Sequence, residues 1–336
     1  MIKQTLYKQV IGTGGIGSGI LFNFDDNRPL SRNETRMASL SKAKDYCKLH
    51  IILHYIARIL SPELLVYAIG VVGQDQAGAE LTAKMKRAGI DTTFVHQTTE
   101  KPTMFAVCLQ YPDKSVCNVT TAESASSLLS ESDIVYAVSN VPTHLDEHTI
   151  AIAVPEVPVQ ARLTLLKLAK AAGAFCVSSY LYDEVSAFVS GGGLANTDML
   201  VINEDEAAAL CNSPTMDQTQ LAKACYEIIN RANPSAKLVV TFGASGSYVC
   251  DLGLIRHIPA QPVNAVATGG AGDAFIAGTI CGIIMGYPFV SNTSIIAAEI
   301  GSRIAAESVT VIDTIAEHID RSLTLRIIRE IAGRKG

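Results

Sequence analysis

From Ile134 onward, short apolar runs alternate with stretches whose apolar residues recur at helical spacing. That alternation restricts the fold more than any other feature of the chain. The runs Ala174-Phe175-Cys176-Val177, Met199-Leu200-Val201-Ile202 and Lys237-Leu238-Val239-Val240-Thr241 have strand length and are bounded by Gly, Asp or Pro. Between them, Val159 to Ala172, Glu204 to Cys211 and Gln218 to Asn230 carry apolar residues at helical intervals. Strands separated by helices imply βαβ units, hence a parallel-rich central sheet with helices on both faces, a three-layer α/β fold. Sheets of this kind bind ligands at the carboxyl ends of their strands, where helix N-termini also point.

The first 130 residues read differently, with β-rich runs among polar turns. Thr103 to Thr121 holds two such runs around Pro112-Asp113-Lys114, a hairpin signal, and Ile20 to Phe24 supplies a further strand. A small β lid from about residues 17–39 and 98–121 is therefore expected, attached to a single domain spanning 1–336. Its open edges would suit a homodimer.

With 48% hydrophobic and 18% charged residues, the chain cannot be disordered in bulk. The formal net charge of −5 leaves no surplus of Lys and Arg for nucleic acid. Small anions remain accessible, because backbone amides at a helix start bind them without net positive charge. Ala274 to Val290 is nearly uncharged but is interrupted by Gly278, Thr279, Gly286 and Pro288, so it reads as a buried helix and not a membrane span. Met1 to Val10 lacks the apolar core of a signal peptide. Eight cysteines without a C-x-x-C pattern fit reduced thiols. The expectation is a cytoplasmic protein acting on a small molecule.

The segment richest in chemistry is Ala267-Thr268-Gly269-Gly270-Ala271-Gly272-Asp273-Ala274-Phe275, a glycine-rich turn entering an apolar helix. Glycines allow close backbone approach, and free amides at the helix start attract phosphate or the charge developing in phosphoryl transfer. A carboxylate there, Asp273, makes chemical sense as a base accepting a proton from a hydroxyl. As an N-cap it would need no chemistry at all.

Gly270-Ala-Gly-Asp-Ala-Phe275 is similar to the signature of the ribokinase-like, or PfkB, family of carbohydrate and nucleoside kinases. Further pieces resemble the family in order: Gly70-Val-Val-Gly73-Gln-Asp75-Gln-Ala-Gly78 with Ala88-Gly89-Ile90-Asp91, then Asn203-Glu204-Asp205-Glu206, then Thr241-Phe242-Gly243-Ala244-Ser245-Gly246. The resemblance implies a kinase that uses ATP and Mg²⁺ to phosphorylate an alcohol of a small polyhydroxylated substrate, a sugar or sugar derivative. It implies Asp273 as the base, and the amides of Gly270, Ala271, Gly272 and Asp273 as the anion hole. Asn203 and Glu206 would organise Mg²⁺, partly through water, and Thr241, Gly243 and Gly246 would line the ATP site. The plain alternative for Asn203 and Glu206 is a capping box.

Four positions depart from the family pattern. Ala267 stands where an Asp helps bind a monovalent cation, so dependence on such a cation is not expected. Gly17 stands where an Asp grips substrate hydroxyls, with Asp25 or Asp26 as shifted substitutes. Asp45-Tyr46-Cys47-Lys48-Leu49-His50 replaces a Gly-Gly-x-x-x-Asn substrate block, which makes Asp45 and His50 substrate candidates, and Glu299 aligns with an adenine-side Asn. The altered substrate side leaves a nucleoside kinase and a non-catalytic ligand-binding relative as alternatives. Gly12-Thr13-Gly14-Gly15-Ile16-Gly17 matches a dinucleotide fingerprint, but no helix pattern follows it, so a strand-to-lid turn is expected. The pairs His50/His54, on the helical stretch Lys42 to Leu60, and His144/His148 have zinc-like spacing without a third ligand motif.

Overall fold

The computed structural model describes residues 6–213 and 216–335. Residues 1–5, part of the segment read as lacking a signal peptide, lie outside them. Fourteen strands are present among the described residues: β1 (Gln9–Thr13), β2 (Gly17–Asn23), β3 (Ser39–Leu40), β4 (Asp45–Tyr46), β5 (Leu65–Gly73), β6 (Asp91–Thr98), β7 (Met104–Gln110), β8 (Val116–Thr120), β9 (Thr149–Ala153), β10 (Phe175–Ser178), β11 (Met199–Asn203), β12 (Lys237–Thr241), β13 (Ser247–Asp251) and β14 (Leu254–Ile258). The helices are α1 (Lys48–Leu60), α2 (Gln76–Arg87), α3 (Glu131–Asn140), α4 (Val159–Ala171), α5 (Val185–Ser190), α6 (Glu204–Cys211), α7 (Gln218–Ala232), α8 (Ala271–Ile284), α9 (Ala297–Ser308) and α10 (Arg321–Lys335). No helix is long and apolar enough to cross a membrane among the described residues.

The central sheet has the order β14-β13-β12-β11-β10-β9-β1-β5-β6. It is parallel from β6 to β12, and β13 and β14 add antiparallel strands at one edge. Side chains of these strands alternate between two separate cores. Val10, Ile150, Ile152, Val177 and Val239 face a core shared with α1, α2, α8, α9 and α10. Their neighbours Ile11, Ala151, Ala153, Cys176 and Val240 face a second core with α3, α4 and α7. Burial on both faces explains why these strands are continuous apolar runs with no polar alternation. The three layers follow directly.

The second sheet, β3-β2-β7-β8 with β4 against β2, holds the hairpin expected at Pro112–Lys114. Lys114 takes a left-handed φ of 70° in that turn. β2 and β7 run parallel, joined through the whole β5–β6 excursion. One expectation is corrected here: the helical stretch predicted from Lys42 starts only at Lys48, because Asp45 and Tyr46 pair with Gly19 and Ser18. The fingerprint-like glycines lie at the β1–β2 junction and lead into a strand, so they bind no dinucleotide in the manner of that motif. A side chain at Gly15 would collide with Glu156, its Cβ falling 2.4 Å from Glu156 Cβ, and the Gly15 N–H donates to the Pro155 carbonyl at 3.0 Å. These glycines let two strand ends close on each other.

Helices α8 and α9 pack backbone to backbone. A Cβ at Gly301 would sit 2.3 Å from Thr279 Oγ1 and 2.6 Å from the Phe275 carbonyl oxygen, and one at Gly278 would sit 2.9 Å from Gly301 Cα. This contact fixes where the N-terminus of α8 points. Gly301→Val should therefore destabilise the fold by about 1–3 kcal/mol or more, measured by denaturant unfolding, whereas substitution at the open Gly253 turn should not match that loss.

Candidate functional site

Parallel strands deliver their carboxyl ends to one side of the sheet, and a cavity of about 350 Å³ lies there beneath the second sheet. Its walls include Asp45, Cys47, Lys48 and Ile51 from the β4–α1 junction, and Glu156 from the loop after β9. Asn203, Glu206 and Thr241 come from β11, α6 and β12; Gly269, Gly270, Gly272 and Asp273 come from the start of α8. The β7–β8 hairpin closes the top. Thr268 Oγ1 donates to the Lys114 carbonyl at 2.7 Å, tying that turn to the glycine-rich loop.

The entry into α8 requires glycine at one position. Gly270 is the N-cap with φ 77°, and a Cβ there would lie 2.8 Å from the Thr314 carbonyl oxygen. Gly272, by contrast, faces open space. Ala271 N–H donates to the Thr268 carbonyl at 3.3 Å. The N–H groups of Gly270, Gly272 and Asp273 have no acceptor among the described residues. Free amides at a helix start make a site for negative charge.

Asp273 stands one residue beyond, with its Oδ1 3.2 Å from Lys48 Nζ. Burial pushes the Asp273 carboxyl above its usual range, and Lys48 opposes that shift. Burial likewise works against the Lys48 charge, yet Asp273 and Glu206 outweigh it and raise its pKa. Glu206 is raised by burial and lowered by Lys48 and by the Asn203 backbone. Asn203 and Glu206 do form the capping box: Asn203 N–H donates to Glu206 Oε2 at 2.8 Å, and Glu206 N–H to Asn203 Oδ1 at 2.9 Å. The same turn faces the cavity, so capping and ligand contact do not exclude each other.

Other candidates are placed differently. Thr241 lines the cavity, while Gly243 (φ 52°) and Gly246 (φ 93°) shape the turn between β12 and β13 and are not among the lining residues. Asp45 lines the cavity. Asp25 is exposed beyond β2, and Gly17 is buried against Met104 and Cys47. His50 has no exposure and packs edge-on to Tyr46 at 4.9 Å on the inner side of α1; Ile51, the next residue, reaches the cavity. Ala267 is buried in the cavity wall. Glu299 accepts from Arg256 Nη2 at 2.7 Å.

Two residues escaped sequence reasoning. Lys48 was visible only as part of an altered block. Glu156 belongs to no motif; it adopts a left-handed φ of 75°, strained for a side-chain-bearing residue. Its Oε2 is buried without a close hydrogen-bond partner, while the Cys47 thiol and the Lys48 N–H face the carboxyl. Burial first, then Asp273, raises its pKa to about 7.

Residues 52–320 match the pfkB family of carbohydrate kinases, and the chain belongs to that family. Ribokinase from Mus musculus is 27% identical over 224 residues, 66% of this chain and 66% of that protein. The structure of ribokinase from Giardia lamblia superposes with a TM-score of 0.80 at 19% identity, covering 95% of this chain and 99% of that one. A nucleoside kinase from Burkholderia thailandensis, in complex with inosine, gives 0.74 at 15% identity over 97% and 100%. The two structures establish likeness of fold.

Glu156 generates a pH-dependent prediction. Its folded pKa near 7 lies above the ordinary value of 4.5. Between those values the unfolded chain releases a proton that the folded protein keeps, so this group's contribution to stability falls as pH rises through that window. Glu156→Gln should therefore gain on the parent protein between pH 5 and pH 8, by about 2–4 °C in thermal midpoint. Equal differences at both pH values would contradict the assignment.

Proposed function

We propose that the protein is an ATP- and Mg²⁺-dependent kinase that transfers the γ-phosphoryl group to an alcohol of a small polyhydroxylated molecule, a sugar or sugar derivative. The observation that carries this reading is the placement of Asp273: a cavity carboxylate on the same helical turn as free amides. A hydroxyl beside Asp273 can give up its proton there, while the amides of Gly270, Gly272 and Asp273 face the charge developing on the phosphoryl group. Lys48 opposes the rise that burial imposes on the Asp273 carboxyl and adds a positive charge next to the reacting groups.

Asn203 and Glu206 fit a divalent ion held partly through water. Glu206 is a buried carboxylate in the cavity wall, and one of its oxygens remains beyond the capping bond. Mg²⁺ would supply positive charge to the donor phosphates. Thr241, with the turn at Gly243 and Gly246, stands on the nucleotide side. The second sheet acts as a lid that excludes water from the transfer, a reading supported by the Thr268–Lys114 contact. Family membership supports the phosphotransfer class, and the likeness to a nucleoside kinase favours a nucleoside acceptor as the second reading.

The test is acceptor-dependent ADP formation with Mg²⁺ against sugars, sugar derivatives and nucleosides. Asp273→Asn should lower turnover by about 100-fold or more while ATP binding persists; undiminished turnover would remove Asp273 from the mechanism. Lys48→Met should move the acidic limb of the rate profile to higher pH. Losing the ammonium raises the Asp273 pKa further, so the base is protonated where the parent is still ionised.

A further inference from the structure

Away from the cavity, helices α6 and α7 bring two thiols together. Cys211 Sγ lies 3.2 Å from Cys225 Sγ, although the residues stand 14 positions apart. On α7, Leu221, Ala222, Cys225 and Ile229 recur at helical spacing and form its buried stripe. Cys225 Sγ also lies 3.4 Å from the Ala207 carbonyl oxygen of α6. On the other side, Cys211 is the last residue of α6, because Asn212 takes a left-handed φ of 49° and ends the helix there. A helix end yields more readily than a helix interior, and the sulfurs need only close from 3.2 Å to about 2.05 Å to be bonded.

The two thiols are not equivalent. Cys225 is buried and Cys211 is partly exposed. An open groove of about 1050 Å³ runs beside them, with Leu210, Asn212 and Ser213 in its wall next to Cys211 and Leu221 and Ile228 to either side of Cys225 in sequence. A small oxidant in solvent therefore meets Cys211 first. With the Cys225 S–H as donor, the hydrogen bond lowers the Cys211 thiol, and burial opposes that shift. The same bond, with burial added, pushes Cys225 far up. The thiolate is the reactive form, so Cys211 is the nucleophile and Cys225 the partner that resolves it.

We propose that Cys211 and Cys225 are a peroxide-sensitive thiol pair that closes into a reversible intramolecular disulfide and fastens the end of α6 to α7. The Cys211 thiolate attacks one oxygen of hydrogen peroxide; the O–O bond breaks, hydroxide leaves and takes up the proton that Cys211 shed, and Cys211 becomes a sulfenic acid. The Cys225 sulfur then attacks the Cys211 sulfur. The S–S bond forms as the S–O bond breaks, and the Cys225 proton leaves with the hydroxide as water. Two thiols have lost two electrons, and peroxide has become two waters. A dithiol reductant reverses the bridge by exchange. The reaction is independent of the phosphotransfer chemistry, although α6 also carries Asn203 and Glu206 at its start.

The experiment treats the reduced full chain with hydrogen peroxide, blocks remaining thiols by alkylation and maps the peptides by mass. A cross-linked pair holding Cys211 and Cys225 should appear and should vanish with dithiothreitol. The bridged protein should melt about 2–5 °C higher than the reduced one. Cys225→Ser should stop at a Cys211 sulfenic acid that dimedone captures, and Cys225→Ala repeats the measurement without placing a hydroxyl in a buried site. Cys211→Ser should leave Cys225 reduced, reacting about tenfold or more slower than Cys211 does in the Cys225 variants. Both thiols still open to alkylation after peroxide would overturn the proposal. So would a bridge from Cys211 to Cys117 or Cys250, direct passage of Cys211 to the sulfinic acid in the parent chain, or a bridge that leaves the melting point unmoved.

Discussion

A lysine ammonium inserted among buried carboxylates governs the rest of this molecule's chemistry. Lys48 leaves the first turn of α1 and reaches Asp273 at the first turn of α8, while Glu206 and Glu156 feel its charge from two other strand ends. Without that cation, carboxylates converging in a half-buried cavity would hold protons, since burial and mutual repulsion both favour the neutral form. With it, the rise that burial imposes is opposed at Asp273, Glu206 and Glu156 alike. Asp273 is the group in direct contact with the cation, and Glu156 is raised by burial to about 7.

That charge arrangement depends on backbone packing far from any charge. The glycines on α8 and α9 allow the two helices to touch through their backbones, which sets the height and direction of the α8 N-terminus. Gly15 performs the same service for the loop carrying Glu156. Close packing of this kind transmits small changes, because interiors have little free volume to absorb them. The second sheet completes the enclosure: within it Asp45 of β4 accepts from Cys108 of β7, and Thr268 donates to the Lys114 carbonyl of its hairpin turn. Both bonds link residues distant in the chain, so the cavity exists only once the second sheet is seated.

Much of the architecture was legible beforehand. Strands β10 to β12 and helices α4, α6 and α7 fall within one or two residues of the apolar runs and helical spacings that announced them, because elements buried against a sheet carry their periodicity in sequence. The hairpin at Pro112–Lys114 was legible for the same local reason, as turn chemistry. β4 was not. Its two residues pair with β2 through contacts made across 26 and 28 positions of chain, and nothing in Asp45-Tyr46 distinguishes them from a helix start.

The sequence by itself determined the fold class, the family and the glycine-rich entry into α8 with Asp273 beside it, since each depends on residues adjacent in the chain. Tertiary structure alone decided which other side chains meet Asp273. It brought Lys48, Glu156 and Asp45 to the cavity and buried His50 behind it. One step along α1 rotates a side chain by about 100°, so His50 points into the core while Ile51 faces the cavity. Glu156 is reachable only through a left-handed backbone and a glycine across from it. Such assignments depend on packing between segments far apart in the chain, which local spacing cannot encode.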